Sequence, residues 1–176
     1  MDIKVNSMGL CEDVITAIEA IVRNARSVRV LYGKYAHGLH GLSGNHWRPD
    51  IVVVKQTNVS IPTSQGMIGG MTQEELFILE CKEVDATYQT YRNQMMRAYA
   101  ELGDLRNFSC PKFVIVPRKH RTTTRAFNYN SFFESIGASL IEWNTSEGKE
   151  KLLSRIANVT GAESGRVQES RVPTAT

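Results

Sequence analysis

Cysteine is scarce in this chain: three among 176 residues, Cys11, Cys81 and Cys110. An odd number cannot pair completely within one chain, and no two of them stand in the CxxC spacing of a zinc site. A disulfide scaffold is therefore not expected, and a reducing, cytoplasmic or otherwise intracellular setting is. Long apolar runs are missing too. None approaches the ~20 residues that a helix needs to cross a bilayer. The N-terminus lacks the basic-then-apolar order of a secretory signal. No internal repeat and no heptad is present. The glycine-rich loop from 33 to 45 lacks the Gly-Lys-Ser/Thr ending of a phosphate-cradling loop.

What is present describes a folded domain. Hydrophobic residues make up 41% and charged residues 22% of the chain, which is the balance of a globular protein rather than a disordered one. The length suits one domain over residues 1–158, followed by a polar Ser/Thr/Gly-rich segment, 159–176, expected as a disordered tail. The formal charge is only +3, from 21 Lys and Arg against 18 Asp and Glu. Its distribution is uneven. Lys112, Arg118, Lys119, Arg121 and Arg125 share a stretch without a single acid, and without those five the remainder is 16 basic against 18 acidic. Such a segment is either a solvated loop or a surface that steers an anionic polymer.

The hydrophobic pattern alternates between helical and strand periods. Val14, Ile15, Ile18, Ile21 and Val22 predict a helix over 12–26. Val28–Leu31 and the β-branched run Ile51–Val54 predict strands. Residues 57–72 are polar and rich in glycine, which predicts a mobile loop or loose hairpin. Leu76–Leu79 restart a strand that ends in Glu80, Cys81 and Lys82. Asp85 is the expected cap of a helix whose packing face carries Tyr88, Tyr91, Met95, Tyr99 and Leu102. A strand at 113–116, a helix at 129–135, a strand at 139–143 and a helix at 147–156 complete an α/β fold with a mixed central sheet flanked by helices.

The chemically informative residues are Glu80–Cys81–Lys82, read with Pro49–Asp50. Side chains alternate along a strand, so Glu80 and Lys82 share one side, at an exposed strand end, while Cys81 joins Phe77 and Leu79 in the opposite layer. If the strands of Asp50 and Glu80 are neighbours, about 4.8 Å apart, their carboxylates converge. Two converging oxygen ligands favour a hard cation, Mg²⁺ or Mn²⁺, with the carbonyl of Cys81 as a third ligand. Lys82 then orients or deprotonates the attacking water, or stabilises charge on the phosphoryl oxygens. The alternative is a plain salt-bridge cluster.

Pro49–Asp50 followed by Glu80–Cys81–Lys82 resembles the signature of the PD-(D/E)xK nuclease superfamily, the restriction-endonuclease-like fold. The order of predicted elements agrees with that family from about Glu12 to Pro117. The resemblance implies metal-dependent hydrolysis of phosphodiester bonds, in DNA or less often RNA, with Asp50 and Glu80 on the metal and Lys82 serving the water. It also implies an acidic residue on the first helix, for which Glu19 is the first match and Glu12 the second.

Around this centre, Arg48, Gln89, Arg92, Arg118, Lys119, Arg121 and Arg125 are candidates for phosphate contacts, which position a nucleic acid without reading its bases. Trp47 is expected to pack, and His46 is a minor candidate for a metal ligand. The expectation is thus a Mg²⁺- or Mn²⁺-dependent DNA endonuclease, acting as a homodimer where two cuts are needed. Its alternatives are a catalytically weak or inactive nucleic-acid-binding or structural protein of the same fold, and an α/β protein whose basic segment binds an acidic partner.

Overall fold

The computed structural model describes residues 9–36, 38–83, 87–118 and 128–161. Helix α1 (Leu10–Val22) buries Leu10, Val14, Ile18 and Val22, a line of every fourth residue along the expected apolar stripe. Glu12 and Asp13 in its first turn suit the positive end of the helix dipole. Its N-cap, Gly9, offers no side chain, and Glu83 supplies the missing acceptor by taking the Leu10 N–H at 2.5 Å. Strand β1 (Val28–Tyr32) follows. The glycine-rich stretch then forms a short 3-10 turn, Gly33–Tyr35, and a small pairing of β2 (Leu39–His40) with β3 (His46–Trp47).

The remaining elements are β4 (Ile51–Thr63), β5 (Gly66–Cys81), α2 (Tyr88–Asp104), β6 (Lys112–Val116), α3 (Tyr129–Glu134), β7 (Ala138–Glu142) and α4 (Ser146–Thr160). The main sheet has the order β1-β4-β5-β6-β7. Its first three strands are antiparallel neighbours, and β5, β6 and β7 run parallel. The parallel joins need crossovers, which α2 and α3 provide. The chain is therefore an α/β protein with a mixed central sheet flanked by helices.

Two cores lie on the two faces of that sheet. Val53, Phe77, Leu79, Phe113 and Ile115 pack with α1 and α4, while Ile78, Val114 and Val116 pack with α2 and α3. Strand β6 shows why Phe113–Val116 is an unbroken apolar run: alternate residues feed opposite cores, so both sides are buried. On α2, Tyr91, Met95, Ala98 and Leu102 are buried, and Tyr99 stacks on Phe132 with ring centroids 3.8 Å apart. Tyr91 and Tyr99 are thus part of a packing face, as expected, whereas Tyr88 at the start of the helix is 37% exposed. No described helix is long and apolar enough to cross a membrane.

Several boundaries differ from the sequence expectation. Of the two expectations for residues 57–72, the hairpin holds, and it is regular rather than loose. Beyond a bulge between Val53 and Val54, where Leu76 is the extra residue, β4 and β5 run on as a regular two-stranded ribbon to Thr63 and Gly66. Asp85 lies outside the described residues, and Thr87 caps α2 by accepting from the Thr90 N–H. Helix α4 runs on to Thr160, closed by Gly161 at φ +67°, a left-handed conformation that suits glycine. Residues 162–176, most of the expected tail, lie outside the described part.

Candidate functional site

The site sits where β4 begins and β5 ends. Ile51 pairs with Leu79, which sets Asp50 beside Glu80. Strand alternation sends Glu80 to the α2 side with Ile78, and Cys81 to the α1 side, where it packs against the other core. Glu80 and Lys82 do not stand at an exposed strand end: they are only 8% and 9% exposed. The cause is α2, whose Gln94, Arg97, Glu101 and Leu102 close over the strand ends from one side, with Trp47–Asp50 on the other. Together they enclose a cavity of about 510 Å³ that holds Asp50, Glu80 and Lys82.

Each of the four carboxylates lining that cavity is engaged by a donor of the protein itself. Asp50 Oδ2 accepts the Cys81 N–H at 2.8 Å. Glu80 Oε1 takes the Lys82 ammonium at 2.6 Å, and its Oε2 lies 3.4 Å from the Asp50 nitrogen. Glu83 holds the start of α1. Glu101 pairs with Arg97 at 2.8 Å and lies 3.7 Å from Lys82. Lys82 thus bridges the sheet to α2 through two acids.

Burial is the main influence on Glu80, and the Asp50 charge adds to it. Lys82 opposes both, yet the carboxyl is pushed up to about 7. The short Glu80–Lys82 contact favours the ionised form, so geometry and desolvation pull in opposite directions. Desolvation prevails because a second carboxylate stands on the other side. On the far side of the strand the Cys81 thiol is also raised, chiefly by its hydrogen bond with Cys11 and by burial.

This arrangement overturns the expected metal centre. Among the described residues, no group of three or more His, Cys, Asp or Glu side chains is placed to hold a metal ion. Asp50 and Glu80 do meet, but one is bound to a main-chain N–H and the other to an ammonium. The third acid expected from the first helix, Glu19, is exposed and lines a separate cleft with Arg23, Arg26 and Arg29. Cys81 contributes its N–H to Asp50. His46 lies against His40, ring centroids 3.8 Å apart, outside the cavity lining. The residues present therefore do not fit a Mg²⁺ or Mn²⁺ ion, and the metal-dependent nuclease, its phosphodiesterase activity and its hydrolase and metal-binding character are withdrawn with it.

The candidate phosphate contacts are scattered. Arg48 is exposed and lines the cavity. Gln89 and Arg92 are exposed on α2, with Gln89 donating to Asn93 at 3.0 Å, and neither belongs to the cavity lining. Arg118 is exposed just beyond β6. Lys119, Arg121 and Arg125 lie outside the described residues. Trp47 packs against the α2 core and donates its indole N–H to Asp104.

Two groups went unnoticed in the sequence. Arg97 and Glu101 are brought to Lys82 by α2, and a signal existed. Gln94, Arg97 and Glu101 recur at helical spacing beside the apolar face of Tyr91, Met95, Ala98 and Leu102. Arg23, Arg26 and Arg29 gather at one cleft, announced by three arginines within seven residues. Comparison of the chain with protein-family models, curated proteins and solved structures finds no match.

Proposed function

We propose that this chain is a catalytically inactive nucleic-acid-binding protein of the PD-(D/E)xK type of fold, with DNA as its partner. One observation carries the reading: every carboxylate in the cavity is engaged by a donor of the protein itself, while Arg48 is exposed at its rim and Arg97, though its Nε holds Glu101, is still 71% exposed there. A cavity so arranged holds its carboxylates in internal contacts and turns guanidinium groups outward at the rim. Phosphate oxygens are the anions that such a rim meets along a polymer.

The surrounding fold supports it. Strands β5 and β6 are parallel, and Cys81 lies beside Ile115. Both strands therefore end on the same edge of the sheet, the edge at which α/β proteins commonly bind ligands. Arg118 extends that edge, and Lys119, Arg121 and Arg125 follow it in the sequence. Asp50 at the mouth of β4 and Glu80-x-Lys82 at the end of β5 keep the superfamily's pattern, here used as a structural clasp between the sheet and α2.

The test is a salt series of binding to a short labelled duplex, in chelator. Arg48→Ala, Arg97→Ala and Arg118→Ala are each expected to weaken binding to all sequences alike. Each should flatten the slope of log K against log salt by about 0.9, one phosphate contact apiece. Three variants with the wild-type slope would remove this edge from the interface.

A further inference from the structure

The ribbon formed by the far halves of β4 and β5 serves neither the cavity nor the cores. Strand β1 pairs with β4 only as far as Lys55, and β6 pairs with β5 only from Ile78. Between them, from Thr57–Thr72 to Thr63–Gly66, the two strands pair only with each other. Seven residue pairs at 3.4 Å each project about 24 Å from the sheet. Nearly every residue there is exposed, including Ile61, Met67, Ile68 and Met71 at 51%, 66%, 58% and 59%.

Register divides those side chains between two faces. Ile61 stands directly opposite Ile68, and Val59 opposite Gly70. A Cβ on Gly70 would lie 3.4 Å from Val59 and 3.5 Å from Ile61, so both side chains lean over that glycine. One face thus carries a contiguous strip of Val59, Ile61 and Ile68. Met67 and Met71 belong to the other face. The ribbon also lacks charge. From Gln56 to Gln73 there is no Asp, Glu, Lys or Arg in 18 residues, in a chain that is 22% charged.

We propose that this ribbon is a self-association arm, whose Val59–Ile61–Ile68 face packs against the same face of a second copy of the chain. Charge selects that occupant. A nucleic acid needs cations to replace its counterions, and the ribbon has none. An acidic or basic protein partner finds no complement either. A second copy brings an equally uncharged strip, so no like charges oppose each other and no ion loses its water. An identical patch meeting itself across a two-fold axis closes as a dimer and leaves no further strip exposed. Area sets the strength. A face about 24 Å long and roughly 10 Å wide falls well short of the ~800 Å² per partner of a standard interface, so the dimer is weak and concentration-dependent. The inference stands independently of nucleic-acid binding.

Sedimentation velocity of the full chain, without nucleic acid, from low micromolar to submillimolar concentration, tests it. The expected result is a reversible shift from the 19.7 kDa monomer to twice that mass, unchanged by added salt. Ile61→Ser with Ile68→Ser should raise the midpoint roughly tenfold or more, with circular dichroism and Tm unchanged. Met67→Gln with Met71→Gln, on the other face, should leave the midpoint in place. A wild type that stays monomeric throughout overturns the proposal. So does an Ile61/Ile68 variant that dimerises as well as wild type, a methionine variant that does not dimerise, or open-ended association in place of a closed dimer.

Discussion

Glu80→Gln should make the protein more stable than wild type at pH 8, although it removes one partner of a buried 2.6 Å ion pair. The reasoning is one of linkage. Glu80 is an acid whose folded-state pKa is raised, from 4.5 to about 7, by burial first and by the Asp50 charge second. The folded chain therefore holds that proton more tightly than the unfolded chain. Stability from this group is fully present below pH 4.5 and is lost as pH rises to 7. The displacement corresponds to about 3 kcal/mol, after the attraction of Lys82 has been counted. Glutamine has the shape of the protonated acid and does not titrate. At pH 4.5 the two proteins should be nearly equal. By pH 8 the variant should lead by about 3 kcal/mol, with Lys82 keeping Glu101 at 3.7 Å as its partner. Urea unfolding of both proteins at a series of pH values measures the difference directly. A variant that is less stable than wild type at pH 8 and equal at pH 4.5 refutes the reasoning, because Lys82 would then outweigh burial and Asp50 combined.

Two further predictions concern glycines whose hydrogen faces a neighbour. Gly148 lies in the first turn of α4, where a Cβ would come within 2.1 Å of the Glu142 carbonyl oxygen. Helix propensity alone makes Gly148→Ala stabilising by about 1 kcal/mol, but the clash is with main chain, and a loss of about 1–3 kcal/mol is expected; a gain in thermal unfolding would contradict the packing described. At Gly41 a Cβ would lie 1.9 Å from Asp104 Oδ2, which accepts from Ser43 and Trp47. Gly41→Ala should lower Tm in the wild-type background and have a much smaller effect in Asp104→Ala; equal effects in both would mean that the carboxylate is not what the methyl group meets.

Much of the fold was legible because each core strand advertises its surroundings. Ile51–Val54 and Phe113–Val116 are solid apolar runs since both faces of those strands are covered. The opposite facing of Cys81 and Glu80 followed from alternation alone. The ribbon was legible only in part: its polar residues and glycines left loop and hairpin both open, and because neither of its faces meets a core, the short alternation at Val59 and Ile61 did not decide between them. Glu19 illustrates a different limit. A helical wheel places it beside the apolar stripe but does not say which cleft that side borders, and α1 turns it toward Tyr32, whose phenol it pushes up. The burial of Lys82 depends on Glu101, nineteen residues away, reached only when α2 folds back over the sheet.

Binding of a labelled DNA duplex, followed by fluorescence anisotropy in chelator and again with Mg²⁺ or Mn²⁺, tests the central claim most directly, with the strands examined on a denaturing gel afterwards. The predicted result is saturable binding in chelator that weakens steeply with salt, changes little with either metal, and leaves the strands intact. Absence of binding at low salt would contradict the account, as would binding that requires the divalent ion and is accompanied by strand cleavage abolished in Asp50→Ala.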